Sequence, residues 1–207
     1  MALTQIEQGM LKDGILTADT AGRAKVADSF VNSAKIADAS VTKAKMGYAG
    51  AILQFAYGEE KSRLSGTTNN FLTVVSGVGY TPTNLSTKSL IQGQVSLQPN
   101  TGNEVCLRLY VSTNGGSTWT SIGESTATTN LAGVSVGYAS NAYGWNQFTM
   151  PFTYLHIHGT TSALQYRVSV TPQDGGGTTF YVNGSATTSG SDSAAGISTL
   201  SVMEISG

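Results

Sequence analysis

Ile91-Gln92-Gly93-Gln94-Val95-Ser96-Leu97 alternates apolar and polar residues along its whole length. In a strand, neighbouring side chains point to opposite faces, so this stretch predicts one dry face and one wet face. The same beat returns in Val105, Leu107, Leu109 and Val111, which alternate with Cys106, Arg108 and Tyr110. Phe148, Met150, Phe152 and Tyr154 make a third row, Leu164, Tyr166, Val168 and Val170 a fourth, and Leu200-Ser201-Val202-Met203-Glu204-Ile205 a last strand. Turn-forming runs lie between them: Asn100-Thr101-Gly102-Asn103, Asn114-Gly115-Gly116 and Asp174-Gly175-Gly176-Gly177. Many amphipathic strands with tight turns, and no helical pattern among them, predict an all-β fold: a two-layer, jelly-roll-like antiparallel β-sandwich.

Upstream of the strands the beat changes. Apolar residues fall on every fifth position: Ile6, Leu11, Leu16, Ala21, Val26, Val31, Ile36, Val41, Met46 and Ala51. Five residues on a helix span about 500°, so these groups scatter around the cylinder and leave no stripe. On a flat strand a step of five sends them to alternate faces. The segment must bend once per repeat or wind around partners. A ten-residue unit repeats inside the beat, Arg23-Ala24-Lys25-Val26-Ala27-Asp28, then Ser33-Ala34-Lys35-Ile36-Ala37-Asp38, with a third start at Lys43-Ala44-Lys45-Met46. The repeat stops near Gly47-Tyr48-Ala49-Gly50, which places an N-terminal stalk at 1–50 and a C-terminal sandwich at 51–207.

Two ordered readings of the stalk compete, beside a third in which it is a disordered or surface-lying tail. A pentapeptide-repeat β-helix also carries a small residue two places before each inward one, as Ala24, Ser29, Ala34, Ala39 and Ala44 do here. At about twenty residues per coil, however, this segment supplies only about two coils, too few to bury an interior alone. Three parallel copies would instead pack Val26, Val31, Ile36, Val41 and Met46 against their equivalents around an axis. The expectation is a homotrimeric stalk.

Composition narrows the function classes. Charged residues are 11% of the chain and the net charge is -1, so the electrostatic footprint of a nucleic-acid binder is missing. The lone Cys106 cannot make an internal disulfide and reads as a small strand residue. Met1-Ala2-Leu3-Thr4-Gln5 lacks a basic cluster followed by an apolar run, and no later run suits a bilayer, which predicts a soluble cytosolic product without membrane insertion.

No catalytic constellation stands out. Glu59, Glu60, Glu104, Glu124, Asp174, Asp192 and Glu204 are dispersed among turns and strand ends, where a glycosidase needs two carboxylates across a cleft. His156 and His158, two apart, share a strand face; three such pairs on a threefold axis would present six nitrogens to a transition metal, the one cofactor that the sequence brings into question. The competing reading is a pair of histidines at a strand end. Ser112-Thr113-Asn114-Gly115-Gly116-Ser117-Thr118-Trp119 resembles the Asp-box of sialidase-like proteins with Asn114 in the acid's place, and reads as a structural hairpin. Tyr138, Tyr143 and Trp145, spaced by Ala, Ser, Asn and Gly, have the composition of a saccharide- or protein-contacting loop, the competing reading being that Trp145 simply plugs the sandwich end.

Ser33-Ala34-Lys35-Ile36-Ala37-Asp38-Ala39-Ser40-Val41-Thr42 resembles the A-K-I-A-D-x-S-V-T repeats of tail-fibre and appendage proteins of tailed bacteriophages. Gln165-Tyr166-Arg167-Val168, Phe180-Tyr181-Val182-Asn183-Gly184-Ser185 and Ser198-Thr199-Leu200-Ser201-Val202-Met203-Glu204-Ile205 are similar to a terminal domain of phage virion proteins. The resemblance implies a non-enzymatic, homotrimeric virion appendage, assembled in the host cytoplasm, with an N-terminal attachment region and a distal β-sandwich. Its implied partners are its own copies, other virion proteins at capsid, collar or tail, and in an adhesin-like reading a host surface glycan. The short stalk favours a head fibre or capsid decoration over a long tail fibre.

Overall fold

The computed structural model describes residues 16–18, 24–26, 50–67, 71–98, 103–124, 133–139, 147–172, 179–185 and 195–207. The chain divides into two units, Met1–Met46 and Gly47–Gly207. In the first, β1 (Leu16–Ala18) pairs antiparallel with β2 (Ala24–Val26), setting Leu16 opposite Val26. The chain therefore doubles back across this stretch instead of running on as one extended strand. Asp19 and Gly22, both turn formers, stand between the two strands. Val31, Ile36, Val41 and Met46 lie outside the described residues.

In the second unit every described pairing is antiparallel, and the strands form two sheets. The first is six-stranded and is organised by β6 (Lys88–Gln98). Along one side of β6 runs β10 (Phe148–His156), in register from Phe148 opposite Leu97 to His156 opposite Ser89. The other side is shared: β13 (Ser198–Ile205) covers Lys88 to Gln94, and β12 (Thr179–Val182) covers Leu97 and Gln98. Outside these lie β3 (Ile52–Glu60), paired with β13, and β4 (Leu64–Thr67), paired with β12. In the second, five-stranded sheet, β11 (Leu164–Pro172) sits between β5 (Leu72–Tyr80) and β7 (Asn103–Ser112). The far edge of β7 is shared by β8 (Thr120–Ile122) and β9 (Ser135–Ala139).

The core lies between the sheets, where the alternating rows meet. Ile91, Val95, Leu97, Leu107, Leu109, Tyr166, Val168, Val170, Val182, Leu200 and Val202 are all fully buried. At about 1.5–3 kcal/mol for each large apolar side chain removed from water, this single cluster is the main stabilising element of the unit. Cys106 is buried too, and burial pushes its thiol up to about 11, so it is inert packing at neutral pH. In β5 the two-residue alternation is interrupted by a shift in register. Val74 and Val75 are adjacent in β5 and both buried, and the β5–β11 register slips on either side of Val168. A bulge of this kind turns two consecutive side chains inward.

Register also defines two ends of the sandwich. Ile52, Ile205 and Lys88 align at one, with His156 a residue further in. Gly50 is tied to this proximal end, because its N–H donates to the Ser206 carbonyl at 3.0 Å and Ser206 N–H donates to the Ala51 carbonyl at 2.9 Å. At the opposite, distal end Phe148 stands across from Leu97, and Ala139 across from Asn103.

Candidate functional site

The proximal end carries the polar side chains most deeply set into the sandwich. Ser89, Tyr166 and His156 occupy inward positions of β6, β11 and β10. Ser89 Oγ lies 2.7 Å from Tyr166 Oη and 2.6 Å from Tyr80 Oη, while His156 Nδ1 lies 3.0 Å from Tyr166 Oη. Tyr166 is fully buried, and burial raises its phenol far above the ordinary range; the half-buried Tyr80 is pushed up to about 12. Both phenols stay protonated and act as hydrogen-bond relays between the sheets.

His156 and His158 do share a side, with ring centroids 6.1 Å apart. Burial, helped by the neighbouring His158, lowers the His156 imidazole to about 4. His158 is lowered by burial as well, partly offset because its Nδ1 donates to the Thr160 carbonyl at 3.1 Å; its Nε2 lies 3.4 Å from Thr87 Oγ1. The rings thus pack edge-on into the chain's own polar cluster, His156 against Tyr166 at 5.8 Å. Among the described residues no group of three or more His, Cys, Asp or Glu is placed to hold a metal.

Glu204 is the buried acid of this end, with none of its surface exposed. One carboxylate oxygen accepts from Thr83 N–H and Thr83 Oγ–H, each at 2.6 Å, and the other accepts from Gln54 Nε2–H at 2.6 Å. Burial by itself raises its pKa, but the hydrogen bonds from Thr83, Gln54 and Thr87 outweigh it and hold the carboxyl below its usual range. The charge anchors the 81–87 loop to β13. Ser89 Oγ faces two phenols, not an imidazole, so Ser89, His156 and Glu204 do not form a nucleophilic triad.

The Asn114 segment forms the hairpin that joins β7 to β8. Asn114 Oδ1 accepts from Thr118 N–H at 2.9 Å and from Ser112 Oγ–H at 2.8 Å, and Gly116 N–H donates to Ser112 Oγ at 2.9 Å. Gly115 and Gly116 take φ of 69° and 87°, which side chains resist. Trp119 folds back so that the Arg167 guanidinium stacks 4.6 Å over its ring.

At the distal end a residue of the Phe180–Ser185 stretch, to which the sequence alone assigned no role of its own, ties three strands together. Asn183 is buried and left-handed, with φ 59°. Its Nδ2 donates to the carbonyls of Glu60 at 2.8 Å and Ser62 at 3.3 Å, and its Oδ1 accepts from Ser198 Oγ–H at 2.6 Å. The sequence signal was the Asn-Gly pair, which marks a tight turn. Of the aromatic candidates, Tyr138 lies in β9 opposite Glu104, with its side chain outside the described residues, as are Tyr143 and Trp145 altogether. The strand ends flanking that loop, Ala139 and Phe148, are both distal. The structure also exposes apolar side chains that the alternation did not single out: Ile52, Phe55, Tyr57, Leu155 and Ile157.

No family model matches this chain, and no curated relative matches it. Among solved structures it is similar to T=1 particles derived from infectious bursal virus, with a TM-score of 0.43, 12% identity, and coverage of 76% of this chain and 33% of that one. A VP2 subviral particle of infectious bursal disease virus matches at TM-score 0.41 and 11% identity, covering 74% of this chain and 33% of that one. A third match is the T13 particle of the same virus, at TM-score 0.41, 10% identity, and 74% and 32% coverage. The chain spans about a third of the length of these structures.

Proposed function

We propose that this chain is a non-enzymatic structural protein of a tailed-bacteriophage virion, a homotrimeric fibre or decoration appendage attached through its N-terminal repeat and displaying the β-sandwich outward. The observation that carries this reading is the polarity of the sandwich. Gly50, through which the repeat segment joins, is hydrogen-bonded to Ser206 at one end, while Ala139 and Phe148, which flank the Tyr143 and Trp145 loop, stand at the other. A module tethered at one pole presents its opposite pole to the surroundings.

The side chains support a structural role. Glu59 pairs with Lys61, Glu124 lies 2.7 Å from Arg108 Nε, and Glu204 is committed to Thr83 and Gln54, so these acids stabilise loops and strand ends. The histidines are likewise engaged with Tyr166 and Thr160, and this reading assigns them no metal. A second reading, recognition of a host glycan, is favoured by the distal position of the strands that carry the aromatic loop. Binding on a glycan array that is lost in Trp145→Ala would support it.

Deleting residues 1–46 tests the main reading. Every core residue named above comes from beyond that segment, so residues 47–207 should retain their cooperative unfolding transition. The truncated protein should fail to join particles. Normal occupancy on purified virions would refute attachment through the repeat.

A further inference from the structure

The outer face of the six-stranded sheet carries an apolar row that runs straight across four strands. Met203 of β13 stands opposite Phe55 of β3 on one side and Leu90 of β6 on the other, and Leu90 stands opposite Leu155 of β10. Their sequence neighbours Ala56, Val202, Ile91 and Tyr154 face the core, so these four face outward. Phe55 is 62% exposed and Leu155 46%, and the row is extended by Tyr57 and Ile157 at 51% and 73%. Ordinary strand chemistry puts polar residues there, as Gln92 and Ser201 do one step further along.

We propose that this face packs against the same face region of further copies of this chain around the trimer axis; the proposal rests on the homotrimeric reading above and locates its contact on the sandwich. These six side chains, one or two on each of four strands about 4.8 Å apart, give on the order of a few hundred Å² of apolar surface, within the range of the largest patch on a typical soluble monomer. A stable interface buries about 800 Å² on each partner. The face is therefore too small to hold a separate protein by itself and large enough to serve as one of two linked contacts.

The second contact starts beside it. Gly50 is bonded to Ser206 at the same proximal end as the row, and the fivefold apolar repeat reaches Met46, four residues upstream. Copies joined through their repeat segments bring identical rows together at an effective concentration on the order of millimolar, where a few hundred Å² suffices. Phe55, Tyr57, Leu90, Leu155, Ile157 and Met203 carry no charge, and the charges of the same face lie beyond them along the strands, Lys88 toward the proximal end and the Glu59–Lys61 pair beside Tyr57 toward the distal end.

The test uses the full chain. Sedimentation velocity over a range of concentrations should show a trimer, and the double variant Phe55→Glu/Leu155→Glu should need at least about tenfold more protein to assemble. Val136→Glu, at an exposed apolar position on the other sheet, should leave assembly unchanged. Hydroxyl-radical labelling of the unaltered protein supplies a readout that does not depend on the variant folding: Phe55 and Tyr57 should be several-fold protected. A trimer whose Phe55 and Tyr57 react as freely as exposed rings, or that a folded double variant assembles equally well, overturns this contact and leaves the trimer standing. A full chain that sediments as a monomer removes the trimer and the contact together.

Discussion

Acid should begin to weaken this fold through His156 at a pH well above the ordinary carboxylate range. In the folded chain burial and His158 hold the imidazole at about 4, whereas an exposed histidine takes up its proton near 6.5. Between those values the unfolded chain binds the extra proton and the folded chain does not, so stability falls as the pH is lowered through that window. Above 6.5 and below 4 this histidine adds no slope. The gap of 2.5 units corresponds to about 3.4 kcal/mol at about 1.4 kcal/mol per unit, and solvent at the open side of the ring reduces the expected loss to about 2 kcal/mol. Glu204 acts lower down. Its folded pKa is depressed, so its contribution is present above the ordinary glutamate range and disappears as the pH falls through the lowered value. Urea unfolding at pH 7, 6, 5 and 4.5 measures the effect. The variant His156→Gln, which can still hydrogen-bond Tyr166, should flatten the dependence between pH 4 and 6.5. An unaltered slope in that variant, or an imidazole titrating near 6.5 by NMR in the native protein, refutes the argument.

Two packing predictions probe the strands that hold the ends in place. Asn183→Ala should lower stability by about 2–4 kcal/mol in chemical denaturation, because it strands the carbonyls of Glu60 and Ser62 and places a Cβ residue at φ 59° without local compensation. Asn183→Gly removes the same hydrogen bonds but suits the backbone, and should be milder by about 1 kcal/mol; equal losses would show that the left-handed geometry is immaterial. Gly93→Ala should lower Tm by about 4–8 °C, since an added Cβ would overlap the Thr199 carbonyl and come within 2.7 Å of the Phe152 ring, an overpacking worth about 2 kcal/mol. An unchanged melting temperature would contradict the close approach of β6 to β13.

The strands that alternate cleanly were legible because one physical rule governs them. Ile91 to Leu97, Val105 to Val111, Phe148 to Tyr154 and Leu164 to Val170 each lie within an observed strand, with the apolar row turned inward. Strand β5 was hidden because Val74 and Val75 are consecutive and both buried, at a register slip that interrupts the alternation. The short strands β4, β8 and β12 carry four residues or fewer, too little sequence for a period to emerge. In the N-terminal segment the fivefold beat implied either a bend in each repeat or winding around partners. The Leu16–Val26 pairing shows a reversal of the chain between β1 and β2.

The polar cluster and the outer apolar row were illegible for a common reason: both are made by register. His156 and His158 announce a shared face from their spacing alone, yet nothing local says that this face meets Tyr166 of another sheet. Glu204, spaced as an inward residue of the last strand, looks like a violation of the alternation until Thr83 and Gln54 arrive to hold its charge. Phe55, Leu90, Leu155 and Met203 come from four strands separated by up to 148 residues, and each taken alone is an unremarkable exposed or half-exposed hydrophobe. Their alignment into one row is a property of the sheet. An uncharged row that ends beside the tether of a repeat segment has the form expected of a surface completed by symmetry, since a copy of the chain is the one partner that always arrives with the matching row at the same end.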